Sequence, residues 1–263
     1  MPQKDHTFLS NSNYVKNMKR EFLAEEYFFN NSNWFYKPMW TYEVEKSNRL
    51  ISLLFYSTNQ DNIVFNDYKF TETYFYQLMK WERFIVWDQQ QKDNLKKFCP
   101  NSEYIKVGYV DMTGKKWEYF PANKEKILSI FDVTPRRPII YTKLGFSIPL
   151  YYSEELNIKF LQDIKEIFSD DKWLIVWKPK RLMGNKFCSA TFKQKQSNLV
   201  GGNLIRVDPG FAASSLVESS DAVISMPFSS PSVIAKLKDV PCIFYDASGR
   251  VRNQKRHGIP LLR

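Results

Sequence analysis

The sequence predicts an α/β protein built as two Rossmann-like domains in tandem, and three observations carry that prediction. Short apolar runs recur along the chain with helix-compatible polar stretches between them, the pattern of parallel strands joined by crossovers. A charged stretch with glycine and proline, 111–126 (DMTGKKWEYFPANKEK), divides these runs into two sets. Polar residues cluster just after several of the runs, at the strand ends where open parallel sheets bind ligands.

Residues 1–13 are polar and predict a frayed start. Val15, Met18, Phe22 and Phe29 fall at roughly helical spacing and predict an amphipathic helix through VKNMKREFLAEEYFF. An aromatic turn around Pro38 precedes a strand at 50–56. Glu43 and Glu45 stand before that strand and share a face if their segment is extended. Residues 84–87 read as a buried strand feeding a helix with Asp88 at its N-cap, and 104–110 as the strand that follows. These elements make an N-terminal domain of residues 1–115, joined by a linker at 116–126 to a C-terminal domain of residues 127–263. In the second domain, strands at 127–133, 173–177, 204–207, 222–226 and 241–245 alternate with helices at 153–168, 211–218 and 232–237. The helix at 153–168 is well specified: Ser153 can cap it, Glu154 and Glu155 suit the dipole, and Leu156, Phe160, Ile164, Ile167 and Phe168 form one face.

At 263 residues, with 43% hydrophobic and 16% aromatic residues, the chain has ample material for a folded core. No apolar run approaches the length of a membrane-spanning helix, and the start MPQKDHTFLSNSN lacks the apolar core of a signal peptide, so a cytoplasmic protein is expected. Cys99, Cys188 and Cys242 lie far apart, and His6 and His257 are the only histidines; neither a zinc site nor a disulfide framework is indicated. The formal charge of +10 and a pI near 9.3 point to an anionic partner. A generally Lys- and Asn-rich composition without a patch accounts for the same numbers.

Three strand ends of the second domain carry chemistry. The strand at 173–177 runs into Lys178-Pro179-Lys180-Arg181, that at 204–207 into Asp208-Pro209-Gly210, and that at 222–226 into Pro227-Phe228-Ser229-Ser230-Pro231-Ser232. Cations beside the hydroxyl-bearing N-terminus of a helix suit a phosphate or diphosphate. Capping of the helix is the other role open to Ser229, Ser230 and Ser232, and a solvated charge run is the other reading of KPKR. No GxGxxG or GxxxxGK[ST] follows any strand, so neither the dinucleotide fingerprint nor the Walker loop is present.

WTYEVE, FYSTN, VWDQQQ, FDVTP, WKPKR and SSDAVISMPFSSPSVIAKLKDVPCIFYD together resemble the bacterial polysaccharide-biosynthesis proteins named for a Pro-Phe-Thr-Ser motif. Here Ser229 stands where that motif has threonine, which keeps the hydroxyl. The last segment is also similar to the donor-binding half of GT-B glycosyltransferases, sialyltransferase-like and teichoic-acid-polymerase-like enzymes among them. The resemblance implies a GT-B-like fold, two Rossmann-like domains facing a cleft, with a Ser/Thr pair after a late strand holding donor phosphate. Where the sialyltransferase-like group has His-Pro, this chain has Lys178-Pro179-Lys180, so the histidine's proton-donating role does not carry over, while phosphate binding by lysine stays open. Against that family the N-terminal domain is short, and the chain stops at HGIPLLR where closing helices are usual; a truncated or minimal form is one expectation.

These readings converge on a cytoplasmic glycosyltransferase that moves a sugar from a nucleotide-activated donor, a CMP-sugar among the candidates, to a surface polysaccharide or lipid-linked acceptor. Donor contacts are expected from Lys178, Lys180, Arg181, Ser229, Ser230 and Ser232, with Asp208 and Gly210 near the base or ribose. An inverting reaction needs a base toward the acceptor hydroxyl. The candidates are Asp132, Asp88 and Glu43, and Asp132 comes first because it lies near the end of the first strand of the second domain. A turn or cap aspartate before Thr134-Pro135 is its other reading. No Asp-x-Asp triplet occurs, and no metal or cofactor is expected beyond the donor substrate. Peripheral contact with anionic membrane at the inner face is compatible with the basic surface, and no nucleic acid is expected as a partner. The rival readings are a non-catalytic binding module, resting on the pI and the basic tail Arg250, Arg252, Lys255 and Arg256, and a degenerate transferase kept as a scaffold.

Overall fold

The computed structural model describes residues 11–30, 37–58, 63–66, 79–111, 115, 117–118, 125–135, 151–182, 188–252 and 255–263. They form two compact units: one of residues 1–62 and 71–110, the other of 63–70 and 111–263. Both are α/β units with parallel sheets. The stretch read as the linker clusters with the second unit. Its start is held there by a bond from the Lys115 N–H to the Gly210 carbonyl and by Trp117, whose N–H donates to Ser215 Oγ at 2.7 Å and whose ring meets Phe211 edge-on.

Among the described residues, the first unit holds four strands, β1 (Glu26–Asn30), β2 (Leu50–Leu54), β3 (Arg83–Val86) and β4 (Glu103–Lys106), paired in parallel and in chain order. With crossovers of one hand, chain order puts the β1–β2 and β3–β4 connections on the same face of the sheet. Accordingly Val44 of helix α1 (Met39–Lys46) and Leu95 of α2 (Gln89–Lys96) share one core with Ile51, Leu53, Phe84 and Val86. The opposite face carries Phe28, Leu50 and Ile105, at 62%, 40% and 37% exposure, around an ion network in which Arg83 donates to Glu26 and Glu103.

Two sequence expectations fail in this unit. The helix expected over VKNMKREFLAEEYFF is instead a short helical stretch at 11–16, a 3-10 turn at Arg20–Phe22 and then β1. EYFFN is rich in aromatic residues that suit a pleated surface, and its register with β2, from Glu26 opposite Leu50, gives period-two burial with Tyr27 and Phe29 toward the core and Phe28 outward. Pairing thus overrides the helical spacing. Glu43 and Glu45 lie on α1, not on an extended segment: Pro38 occupies the N-cap, and the following Met, Glu and Lys are good helix formers. Two residues apart on a helix they do not share a face, and they pair separately, Glu43 with Lys46 and Glu45 with the buried Lys37.

The second unit has a six-stranded parallel sheet: β5 (Lys126–Phe131), β6 (Trp173–Lys178), β7 (Leu204–Arg206), β8 (Ala222–Ser225), β9 (Cys242–Tyr245) and β10 (Leu261–Leu262). Their order across the sheet is β10-β9-β8-β5-β6-β7. The chain therefore starts in the middle, runs outward through β6 and β7, crosses back to β8 and runs out the other way. The order reverses between β5 and β8, a topological switch point of the doubly wound type. Helices α3 (Glu154–Ile167), α4 (Ala190–Leu199), α5 (Ala213–Glu218) and α6 (Ser230–Leu237) link the strands. Ser153 caps α3 as expected, its Oγ accepting the Leu156 N–H, and Ser189 caps α4 in the same way. Leu156, Phe160 and Ile164 are buried, while Ile167, assigned to the same face, is exposed in the last turn. Neither α4 nor β10 is apparent from the sequence pattern. Among the described residues, no helix is long and apolar enough to cross a membrane.

Candidate anion site at the switch point

The register fixes which strand ends lie together. Phe131, the last residue of β5, pairs with Lys178 of β6 on one side and Ser225 of β8 on the other. The segments beyond these three positions, Asp132-Val133-Thr134, Pro179-Lys180-Arg181 and Met226 to Ser230, therefore leave the sheet side by side at the switch point. Met226 closes this edge: its N–H donates to the Phe131 carbonyl, and its sulfur accepts the Val133 N–H.

Lys178 ends β6 and is half-buried. That burial lowers its pKa below the usual lysine range, and the carboxylates of Asp132 and Asp208 oppose the shift. Arg181 is exposed and Lys180 half-buried. Asp132 is 4% exposed. Its Oδ1 accepts the Lys180 N–H at 2.7 Å, and its Oδ2 accepts Trp177 Nε1 and Asn157 Nδ2, each at 3.2 Å. Burial raises its pKa, and these three hydrogen bonds together with Lys178 pull the other way. Thr134 Oγ1, two residues on, is buried with no hydrogen-bond partner among the described residues.

The PFSS turn separates the three serines. Phe228 sits at φ +61°, a left-handed conformation that costs a non-glycine residue about 1–2 kcal/mol. Its ring is held by Phe244 edge-on and by the Arg256 guanidinium 4.4 Å from the ring centre. Ser229 occupies the N-cap of α6 without capping it: its Oγ donates back to the Met226 carbonyl at 3.0 Å. Ser229 thus does not cap α6 in the way Asp88, Ser153 and Ser189 cap α2, α3 and α4. Ser230 begins the helix and is half-buried. Ser232, expected among the donor contacts, is instead fully buried; its Oγ meets Ser225 Oγ at 2.6 Å and donates to the Ile243 carbonyl, pinning α6 to β8 and β9.

Asp208 is exposed, and its Oδ1 accepts the Gly210 N–H at 2.6 Å; a Cβ on Gly210 would lie 2.8 Å from that oxygen. The turn thus fixes both residues just past β7. Of the expected site residues, the second unit brings Asp132, Lys178, Lys180 and Asp208 together and sets Ser229 and Ser230 on the neighbouring strand end. Asp88 and Glu43 belong to the first unit, where Asp88 caps α2 through the Gln91 N–H and Glu43 pairs with Lys46. The sequence pattern does not single out Asn157 and Trp177, which hold Asp132, and it assigns Arg256 to a basic tail. Arg250 likewise stacks on Phe65, and Arg263 donates to the Val251 carbonyl, so this tail packs on the second unit.

A doubly wound α/β unit whose switch point carries a half-buried lysine and a helix start left uncapped by its N-cap serine has the features that suit an anion at strand ends. Residues 6–262 match the family described as polysaccharide biosynthesis PFTS motif protein, and the chain belongs to that family. No match is found among curated proteins. Among solved structures it is similar to an apo structure of OtsA (9% identity, 92% of this chain and 62% of that one, TM-score 0.47). It is also similar to a putative UDP-N-acetylglucosamine 2-epimerase from Listeria monocytogenes (11%, 91% and 61%, 0.47) and to TarM (14%, 97% and 48%, 0.47). The chain spans about six-tenths of the first two and about half of the third.

Proposed function

We propose that the chain binds a nucleotide-activated sugar at the carboxyl edge of the second sheet and transfers the sugar to a glycan or lipid-linked acceptor. The observation that carries this reading is the placement of the half-buried Lys178 on one side of the β5 end and, on the other, the β8 end that leads into α6, whose own N-cap serine points elsewhere. Membership of a polysaccharide-biosynthesis family supports the sugar-transfer half of it.

Chemically, the acceptor oxygen forms a bond to the anomeric carbon as the bond from that carbon to the nucleotide phosphate breaks, and the electron pair leaves on the phosphate oxygen. Charge grows there in the transition state, so cations fixed beside it speed the step more than they tighten the ground state. Lys178 and Lys180 suit that task, with Ser230 and the first N–H groups of α6 on the other side; Arg181 is exposed and available to the outer phosphate. The turn at Asp208 and Gly210 offers an exposed carboxylate suited to ribose hydroxyls. The acceptor proton needs a base, and each carboxylate considered for it is engaged in this structure: Asp132 by three donors, Asp88 by the α2 N-terminus and Glu43 by Lys46. In this reading the reaction takes place in the cytoplasm, and the net charge of +10 favours contact with anionic membrane that carries a lipid-linked acceptor.

Thermal melting in the presence of CMP, CDP, UDP and GDP tests the reading. At least one is expected to raise the melting temperature in a concentration-dependent way, by about 2.7 kcal/mol of stabilisation at a hundred times its Kd. No response to any of the four removes nucleotide binding.

A further inference from the structure

We propose that Asp132 is a positioning residue, and that a buried relay from Gln196 through Asn157 to Asp132 sets the turn that presents Lys178 and Lys180 to the donor phosphate. The ligand in this proposal rests on the nucleotide-sugar reading above; the relay is read independently of it.

Pro179 has no N–H, so the first backbone donor beyond the last strand residue is that of Lys180. Asp132 Oδ1 takes that donor at 2.7 Å, tying the end of β5 to the turn after β6. Its other oxygen receives Trp177 Nε1 from β6 and Asn157 Nδ2 from α3. Asn157 can present either its oxygen or its nitrogen, and the choice is made from α4: Gln196 Nε2 donates to Asn157 Oδ1 at 3.0 Å, leaving the amide nitrogen to face Asp132. Trp177, Asn157, Gln196 and Asp132 are 0%, 1%, 3% and 4% exposed. Buried groups with fixed partners hold a single geometry, since each broken bond leaves a desolvated donor or acceptor.

Three roles for Asp132 give three different outcomes. If it acted only as a negative charge beside Lys178, its removal would tighten anion binding. As the base for the acceptor hydroxyl, its removal would stop transfer and leave nucleotide binding unchanged. As a positioning residue, its removal weakens binding, because an asparagine turns an amide donor toward one of the donors it must satisfy. The same logic reaches Gln196, which lies on α4 two hydrogen bonds from Asp132. In Gln196→Glu the carboxylate has no proton to give Asn157 Oδ1, so the Asn157 amide turns over and its oxygen meets Asp132.

The experiment titrates UDP and CMP calorimetrically into wild type, Asp132→Asn and Gln196→Glu, with hydrogen exchange of the Lys180 amide followed in each. Affinity is expected to fall about tenfold or more in Asp132→Asn and several-fold in Gln196→Glu. Lys180 amide exchange is expected to speed up in both, with the melting transition still cooperative. Should Asp132→Asn fail to fold, Gln196→Glu carries the test alone. Equal or tighter binding with unchanged Lys180 exchange overturns the proposal. A wild type that binds no nucleotide removes the ligand from it, while Lys180 exchange in the variants still accepts or rejects the relay.

Discussion

The two sheets are made of the same parts and use their strand ends differently. In the first, strands follow one another in chain order, and Asp88 and Gln91, just beyond β3, are spent on local structure. Asp88 caps α2, while Gln91 accepts the Trp87 N–H and donates to the Ser57 carbonyl. In the second, the order reverses between β5 and β8, and a lysine with lowered pKa is left under the influence of two carboxylates, Asp132 and Asp208. Both regions are rich in polar residues at the right ends of strands. Strand order decides which of those residues are consumed by local structure and which are left at a switch point, the place where open parallel sheets bind ligands.

Substitutions in the two regions should therefore separate binding from stability. The largest effect is expected from Lys178→Met with Lys180→Ala, which removes the cations of the second sheet. The nucleotide-induced stabilisation, about 2.7 kcal/mol at a hundred times the Kd, should vanish, while the unliganded protein melts no lower because a partly desolvated ammonium has been replaced by a side chain of similar volume. Asp88→Ala in the first sheet should do the reverse: a loss of about 1 kcal/mol on removal of the cap, seen as a lower melting temperature, and an unaltered nucleotide response. A melting shift that survives the double lysine change, or disappears with Asp88, breaks the distinction.

The PFSS turn repeats the comparison within one motif. Ser232→Ala leaves Ser225 and the Ile243 carbonyl each short of a partner in the core, a cost of about 1–3 kcal/mol in denaturant unfolding with nucleotide affinity kept. Ser229→Ala loses only the bond to the Met226 carbonyl, so its stability cost is smaller, and the loosened turn should weaken nucleotide binding a few-fold. The smallest effect expected is one of pH. The Lys178 proton is held less tightly in the fold than in water, so nucleotide affinity should fall as pH rises through a value below the usual 10.5, and Lys178→Arg should flatten that profile. Stability of the unliganded protein runs the other way. The unfolded chain binds this proton more tightly, so this group makes the fold more stable as pH rises through the same window. Binding curves at a series of alkaline pH values measure the first, and melting without nucleotide the second.

Much of the second unit is legible in the sequence because its strands are short, apolar and bounded by turn residues, and each of β5 to β9 starts and ends within a few residues of its expected place. The first unit is less so. β1 carries aromatic residues at a spacing that fits a helix until its pairing with β2 is known, and α1 hides behind Pro38. Lys178 and Lys180 are legible as a charge run after a strand, but their surroundings are not, since burial and the flanking carboxylates depend on which strands become neighbours. Asn157 and Gln196 do leave a signal. Asn157 lies within the apolar stripe between Leu156 and Phe160, and Gln196 is one turn beyond the buried Phe192. A polar residue on a buried helix face demands a partner. Ser232 shows the opposite trap: three serines in one turn look alike in sequence, and the helix phase alone sends one of them into the core.

The central claim is that Lys178 meets the phosphate of a nucleotide at the switch point of the second sheet. Calorimetric titration of wild type and Lys178→Met with the same nucleoside diphosphate tests it most directly. The account predicts saturable binding to wild type and an affinity lower by about tenfold or more in the variant, the scale expected when one charge-assisted hydrogen bond is removed. Equal affinities for the two proteins would contradict it.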